Sequence, residues 1–148
     1  MSSDAVARLL VFRVGNERFA VELAAVNEVI EHPVLQPVPD AAPTLLGIAR
    51  LRGEFVPIHD LRPILRAGGG TIGGALLFAR DGRTIGLAID DVYDAMLVEQ
   101  QELRPAPGLD GSDGLLLGLV RRGSDLIAVL DADALLAAVR RDTEEQRV

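Results

Sequence analysis

Short segments in which apolar and polar residues alternate run through most of the chain, and turn residues separate them. LLVFRV and ERFAVEL flank a Gly-Asn pair, and Phe19, Val21 and Leu23 fall on one face of the second segment. LLGIARL and FVPIHDL flank an Arg-Gly-Glu sequence in the same way. Alternation on both sides of a short turn is typical of a β-hairpin, so the pattern predicts two hairpins.

The segment between these hairpins carries a weaker signal. AAVNEVIE predicts a short helical turn at most. A helix cannot continue beyond it because prolines recur in the residues that follow, at Pro33, Pro37, Pro39 and Pro43. We therefore expect a strand or a loop there.

The same pattern returns in the second half of the chain. Residues 8–30 match those 66 positions further on, and residues 45–65 match those 71 positions further on. A Pro-x-Pro sequence separates the two matching blocks in each half. This order predicts an internal duplication with approximate halves 8–66 and 75–137.

Many short strands separated by turns favour an all-β barrel or sandwich. Each half has only about 65 residues, which is marginal for an independent barrel, so we expect the halves to pack together in one domain spanning residues 1–148. Whether strands are exchanged between the halves stays open. AGGGTIGGA, residues 67–75, predicts a flexible loop between the halves. DADALLAAVRR, residues 131–141, predicts a closing amphipathic helix capped by Asp131 or Asp133.

Composition removes several classes of function. A net charge of −7, 3% aromatic residues and no tryptophan argue against nucleic-acid binding, which depends on basic residues and stacking surfaces. The absence of cysteine excludes disulfides, thiolate nucleophiles and cysteine-based zinc sites, and it is consistent with the cytoplasm. No apolar run reaches the roughly 18 residues of a membrane span, and the first residues lack a secretory signal. We therefore expect no membrane insertion.

Two groups of residues resemble sites of chemistry. His59 and Asp60 are adjacent on a predicted strand and would point to opposite faces, so we expect a strand histidine at a partly exposed edge, with Asp60 capping the next segment. Asp90, Asp91 and Asp94 lack the spacing of a calcium loop, and we expect Asp90 or Asp91 to cap a short helix. An enzyme that uses these carboxylates and His59 remains an alternative. The favoured expectation is a non-enzymatic protein without cofactor or metal.

The turn between LLGIARL and FVPIHDL presents Arg52, and the duplicated turn has Gly123 at the matching position. Arginine is a frequent interface anchor because its guanidinium carries a fork of donors. An arginine present in only one of two repeated turns is therefore a candidate binding residue, with a solvated turn arginine as the alternative.

Four segments in order resemble the CheW family of bacterial chemotaxis coupling proteins. LLGIARLRGEFVPIHDLR resembles the family's LRG, Pro and DLR signature, and LLVFRVGNERFAVELAAVNEVIE is similar to its opening hairpin. LAIDDVYDAMLVEQQELRPAP and LIAVLDADALL are similar to its later blocks. The resemblance covers roughly residues 8 to 137. It implies two packed SH3-like five-stranded barrels with short helices and a C-terminal helix.

The resemblance also implies a function. Members of this family are cytoplasmic adaptors at membrane receptor arrays, where they join the cytoplasmic tip of methyl-accepting chemoreceptors to the regulatory domain of the histidine kinase CheA. The positions that match receptor-coupling residues are Val26, Glu28, Gly47, Arg52, Gly53 and Ala95. Val26 and Ala95 are expected to form apolar groove walls, Glu28 and Arg52 to orient the partner, and Gly47 and Gly53 to permit the turn. An adaptor of a pilus-motility or other receptor–kinase array, and a small-ligand sensor that uses the crevice between the barrels, are the alternatives.

Overall fold

The computed structural model describes residues 6–105 and 114–145, with the side chains of 142–145 excepted. Eleven strands dominate these residues. They are β1 Val6–Val14, β2 Glu17–Glu22, β3 Glu28–Glu31, β4 Leu35–Gln36, β5 Leu45–Leu51, β6 Glu54–Asp60, β7 Gly74–Arg80, β8 Arg83–Ile89, β9 Asp91–Glu99, β10 Leu116–Arg122 and β11 Asp125–Leu130. The helices are α1 Arg62–Leu65, α2 Ala132–Glu145 and the 3₁₀ turns Leu23–Ala25 and Gln100–Glu102.

The strands form two sheets. The first sheet has the order β10-β11-β2-β1-β9, and the second has the order β3-β7-β8-β6-β5-β4. Neighbours pair antiparallel except β11 with β2 and β6 with β8, which pair parallel. The prediction of an all-β fold with two packed barrels is confirmed, and the second sheet carries the short β4 as a sixth strand.

The internal duplication is visible in the order of the strands. Read from β5, the second sheet runs β5-β6-β8-β7-β3, which is the first sheet's order with each strand replaced by its repeat. The parallel pairs are also equivalent in the two halves. Ile58 pairs with Gly86 in the second sheet, and their repeat positions, Val129 and Ala20, pair in the first. Each sheet takes strands from both halves of the chain, since β2 pairs with β11 and β8 pairs with β6.

The largest apolar cluster among the described residues lies between the two sheets, and each sheet also has a smaller cluster of its own. Phe12 of the first sheet and Phe78 of the second are fully buried in the same apolar cluster, and Leu135 and Val139 of α2 complete it. The predicted amphipathic closing helix is therefore confirmed. Its cap is Asp131, whose Oδ1 accepts a hydrogen bond from the Ala134 N–H at 2.9 Å.

One local prediction holds in part and another is wrong. The short helical turn predicted for AAVNEVIE is present as the 3₁₀ turn Leu23–Ala25, but Glu28–Glu31 at its end form the strand β3, because β7 supplies backbone partners that a local pattern does not reveal. The short helix expected after Asp90 does not form. The chain enters β9 directly and pairs with β1, so tertiary pairing overrides the capping pattern there.

No helix in residues 6–105 or 114–145 combines the length and apolarity that crossing a membrane requires.

Candidate partner-binding site

Arg52 and Gly53 form the two-residue turn between β5 and β6. Their φ angles are 47° and 83°, the left-handed pair that this kind of hairpin needs. Glycine adopts such angles without strain, whereas a side chain at Cβ opposes them. The duplicated turn has Gly123 at the matching position, with φ 61°. Arg52 therefore occupies a position whose backbone conformation favours glycine. The presence of a side chain there must be explained by its contacts.

The side chain of Arg52 makes a bidentate ion pair with Glu28 on β3. The Nη1–Oε2 distance is 2.9 Å and the Nη2–Oε1 distance is 2.5 Å. This contact lowers the pKa of Glu28, chiefly through the hydrogen bond from Arg52, and raises the pKa of Arg52 through the same hydrogen bond. The structure thus brings together two residues that the sequence nominated separately.

The first sheet has a related arginine–glutamate pair, here called a clamp like the Arg52–Glu28 pair. Its arginine is Arg122, one position before Gly123, which is the residue that matches Arg52 in the repeat. Arg122 of β10 donates to Glu102 and to the Leu97 carbonyl, at 3.1 Å from Nε and 2.6 Å from Nη2 respectively. In both sheets an arginine from a hairpin end thus ties that hairpin to the neighbouring edge of the barrel. The Arg52 side chain is 71% exposed, against 39% for Arg122. Only the second sheet's clamp is largely open to a partner.

Gly47 lies inside β5 rather than at the turn. It is buried, and a Cβ added to it would lie 2.8 Å from the carbonyl oxygen of Gln36 in the paired strand β4. Its small size therefore permits the close approach of β4, and the expectation that Gly47 permits the turn is wrong. Gly53 does lie in the turn, and a Cβ on it would meet no atom within 4 Å.

Val26 and Ala95 lie on different parts of the molecule. Val26 is half-buried, follows the first 3₁₀ turn and packs against the core between the sheets. Ala95 is exposed on β9, opposite Leu10 of β1. Glu28, Gly47, Arg52 and Gly53 belong to the second sheet. The six nominated residues therefore span both sheets and one connection between them.

Exposed apolar side chains lie beside these residues, and the sequence analysis did not nominate them. Val29 follows Glu28 on β3 with 37% exposure, and Leu97 lies two residues beyond Ala95 with 56% exposure. Phe55, opposite Arg50, is 69% exposed. Alternation along the strands was the signal that could have found them, because neighbours on a strand face opposite sides and each of these residues adjoins a more buried one.

Phe55 has a counterpart in the other hairpin. Leu126 lies opposite Arg121 and is 58% exposed, as Phe55 lies opposite Arg50. The guanidinium of Arg50 stands 5.8 Å from the centre of the Phe55 ring. Both hairpins therefore expose an apolar residue beside an arginine, a combination that is common in protein interfaces.

The His59 and Asp60 pair does not form a reactive site. The prediction of a partly exposed edge position for His59 is wrong, because β6 lies between β5 and β8 and leaves His59 only 6% exposed. Its Nδ1 lies 3.2 Å from the Thr44 hydroxyl oxygen. Asp60 accepts a hydrogen bond from the Arg62 N–H at 3.0 Å, which confirms it as a cap.

The three nearby aspartates are separated by their environments. Asp90 is buried between β8 and β9, whereas Asp91 and Asp94 are exposed on β9. Among the residues that the structure describes, no three histidine, cysteine or acidic side chains are grouped so that they could hold a metal ion.

A cavity of about 360 Å³ lies at one end of the first sheet, and α2 and Arg80 form part of its wall. Its apolar lining includes Leu9, Val98 and Val129. The cavity opens to solvent, so it differs from the enclosed apolar pocket that typically buries most of a small ligand.

Duplicated barrels, an exposed arginine clamp and exposed apolar strand residues define a double-barrel module of the protein-binding class. The family model of the CheW-like domain matches residues 8–140, and the chain belongs to this family.

Individual proteins and a solved structure are also similar to this chain. The chain is 28% identical to the chemotaxis protein CheW of Rhizobium meliloti over 90% of each chain. It is 30% identical to the protein FrzA of Myxococcus xanthus, with 88% of this chain and 85% of that protein covered. The crystal structure of the scaffolding protein TtCheW from Thermoanaerobacter tengcongensis matches with a TM-score of 0.72 and 20% identity, over 85% of this chain and 89% of that one.

Proposed function

We propose that the chain is a non-enzymatic adaptor that couples methyl-accepting chemoreceptors to the regulatory domain of the histidine kinase CheA. The observation that carries the proposal is the exposed Arg52–Glu28 pair beside exposed apolar strand residues, on the scaffold of a CheW-like domain. An adaptor needs such a surface and no catalytic group.

In this proposal the receptor tip binds across the two sheets. Val26 and Ala95 contribute apolar contacts, and the Arg52–Glu28 pair orients the partner through hydrogen bonds at the rim. Gly53 permits the turn that carries Arg52, and Gly47 holds β4 close to β5. Exposure of the Arg52 side chain supports this assignment, because a guanidinium that is 71% accessible can reach a partner without unfolding.

The kinase's regulatory domain would pack through the barrel ends, in the manner that family resemblance suggests. The protein would then work in the cytoplasm and be recruited to receptor arrays at the membrane. The chain is about equally identical to a CheW protein and to FrzA. The sequence identities therefore do not favour a chemotaxis array over another receptor–kinase array.

The test is a binding titration of the purified chain against two partners from the same organism, the chemoreceptor signalling tip and the kinase regulatory domain. Arg52→Glu should weaken receptor binding about tenfold or more, because it reverses the charge at the pair and leaves two carboxylates facing each other. Arg83→Glu is the matched control, since it makes the same charge change at an exposed position outside the nominated surface.

The outcomes separate the claims. If the wild-type chain binds neither partner, the coupling function is wrong. If Arg52→Glu and Arg83→Glu bind the receptor tip equally well, the role assigned to Arg52 is wrong while the adaptor function stands.

A further inference from the structure

The glycine-rich segment between the two halves meets Asp90 at a junction between the sheets. The described strands change sheet twice along the chain, once through residues 23–27 and once at Asp90, which alone joins β8 of the second sheet to β9 of the first. Asp90 is therefore a one-residue connection, and its side chain is only 4% exposed.

Asp90 is held from the first sheet. Its Oδ1 accepts a hydrogen bond from the Gly15 N–H at 2.8 Å, in the turn between β1 and β2. Its own N–H donates to the Arg13 carbonyl oxygen at 2.8 Å. Its Oδ2 lies 3.7 Å from Arg13 Nη1 and accepts no hydrogen bond among the described residues. A buried carboxylate oxygen without a hydrogen bond lowers the stability of the folded state. The surrounding contacts must therefore hold Asp90 in place.

The glycine segment covers Asp90 from the other side. A Cβ built on Gly70 would overlap Asp90 Oδ2 and lie 2.7 Å from its Cγ, and a Cβ on Gly73 would overlap the Asp90 carbonyl oxygen. A Cβ on Gly15 would likewise overlap the Gly68 carbonyl oxygen. Three glycines are thus required by close contact. The sequence-based expectation of a flexible loop did not anticipate this packing.

We infer that residues 68–73, Asp90 and the Gly15 turn form an inter-sheet lock that sets the angle between the two barrels. The lock goes beyond the proposed adaptor function. It also bears on that function, because the nominated residues lie on both sheets and their spacing depends on this angle.

Two adjacent glycines provide a matched test. Gly69 and Gly70 have φ angles of 81° and 79°, so alanine opposes a left-handed backbone at either position. A Cβ on Gly69 has no neighbour closer than the Asn16 side-chain nitrogen at 3.7 Å, whereas a Cβ on Gly70 overlaps Asp90 and lies 3.0 Å from Gly15 Cα. Any difference between Gly69→Ala and Gly70→Ala therefore reports the contacts of Gly70 with Asp90 and the Gly15 turn.

The first measurement is hydrogen exchange at the Gly15 amide. Gly70→Ala should speed its exchange about tenfold or more relative to Gly69→Ala, because the hydrogen bond to the Asp90 carboxylate is disturbed. In an Asp90→Ala background the difference between the two alanine variants should shrink, since the carboxylate atoms that Gly70→Ala overlaps are gone and the approach to Gly15 Cα at 3.0 Å remains.

The second measurement is the distance between the sheets. The chain has no cysteine, so Phe55→Cys on the second sheet and Leu126→Cys on the first can carry a pair of spin labels. Their distance distribution should broaden or shift in Gly70→Ala and match the wild type in Gly69→Ala.

The lock is overturned if folded Gly70→Ala gives the same distance distribution and the same Gly15 exchange as Gly69→Ala. It is also overturned if the difference between them persists undiminished in the Asp90→Ala background. Neither measurement includes a receptor or a kinase, so failure of the lock and failure of the adaptor proposal are distinguishable.

Discussion

Replacing Arg52 by glycine separates the binding role of this residue from its structural role. The side chain sits on a left-handed backbone, which favours glycine, but it also makes the ion pair with Glu28. The substitution relieves the backbone and removes the pair. Since the pair is exposed, we expect the backbone effect to dominate, and the variant should be at least as stable as the wild type.

The size of the backbone effect can be measured at the duplicated turn. Gly123 has φ 61°, and a Cβ on it would meet no atom within 4 Å, so Gly123→Ala reports backbone strain without a clash. We expect Gly123→Ala to lose roughly 1 kcal/mol of stability. That corresponds to a fall of about 2–4 °C in Tm for a chain of this length.

Arg52→Gly should raise Tm by up to a similar amount, with the larger gain in 1 M salt, where the lost ion pair is screened in the wild type as well. Thermal melts at low and high salt give this comparison, and the receptor titration gives the functional one. The reasoning is refuted if Arg52→Gly lowers Tm in 1 M salt by as much as Gly123→Ala, because Arg52 would then be needed for folding. Weakened receptor binding with an unchanged or higher Tm supports a contact role.

Two further predictions concern the same surface. The Arg52 hydrogen bond lowers the pKa of Glu28 from its ordinary value of 4.5, so the pair's contribution to stability is present above the unfolded-state value and is lost as pH falls through the folded-state pKa. Any difference in Tm between the wild type and Glu28→Gln should therefore shrink as pH drops from 6 to about 3, and a difference that grows on acidification would contradict this assignment. Gly47→Ala should detach β4 from β5, because the new Cβ would lie 2.8 Å from the Gln36 carbonyl oxygen. Hydrogen exchange of the amides in the β4–β5 pair should therefore become faster. Gly68→Ala is the control, because its Cβ would meet no atom within 4 Å and should leave this exchange unchanged.

Features that depend on neighbouring residues could be predicted from the sequence. Alternation with short turns identified the four hairpins, the two shifts of 66 and 71 identified the duplication, and 3.6-residue spacing identified α2. Comparison of the two duplicated turns nominated Arg52, and resemblance in four ordered segments added the family and nominated Glu28 as well. The pattern could not show that these two side chains bind each other, since 24 positions separate them along the chain.

Long-range pairing decided the rest. β3 and the start of β9 carry weak local signals and became strands only because β7 and β1 offer open edges to them. His59 is buried because β8, from the other half, pairs parallel with β6. Likewise, the glycine segment reads as a flexible loop by composition, and only the approach of Asp90 from a distant connection requires its glycines to be small. Local sequence thus determined the elements and their repetition, whereas the tertiary structure decided which strand edges, charges and loops meet, because those contacts join residues far apart in the chain.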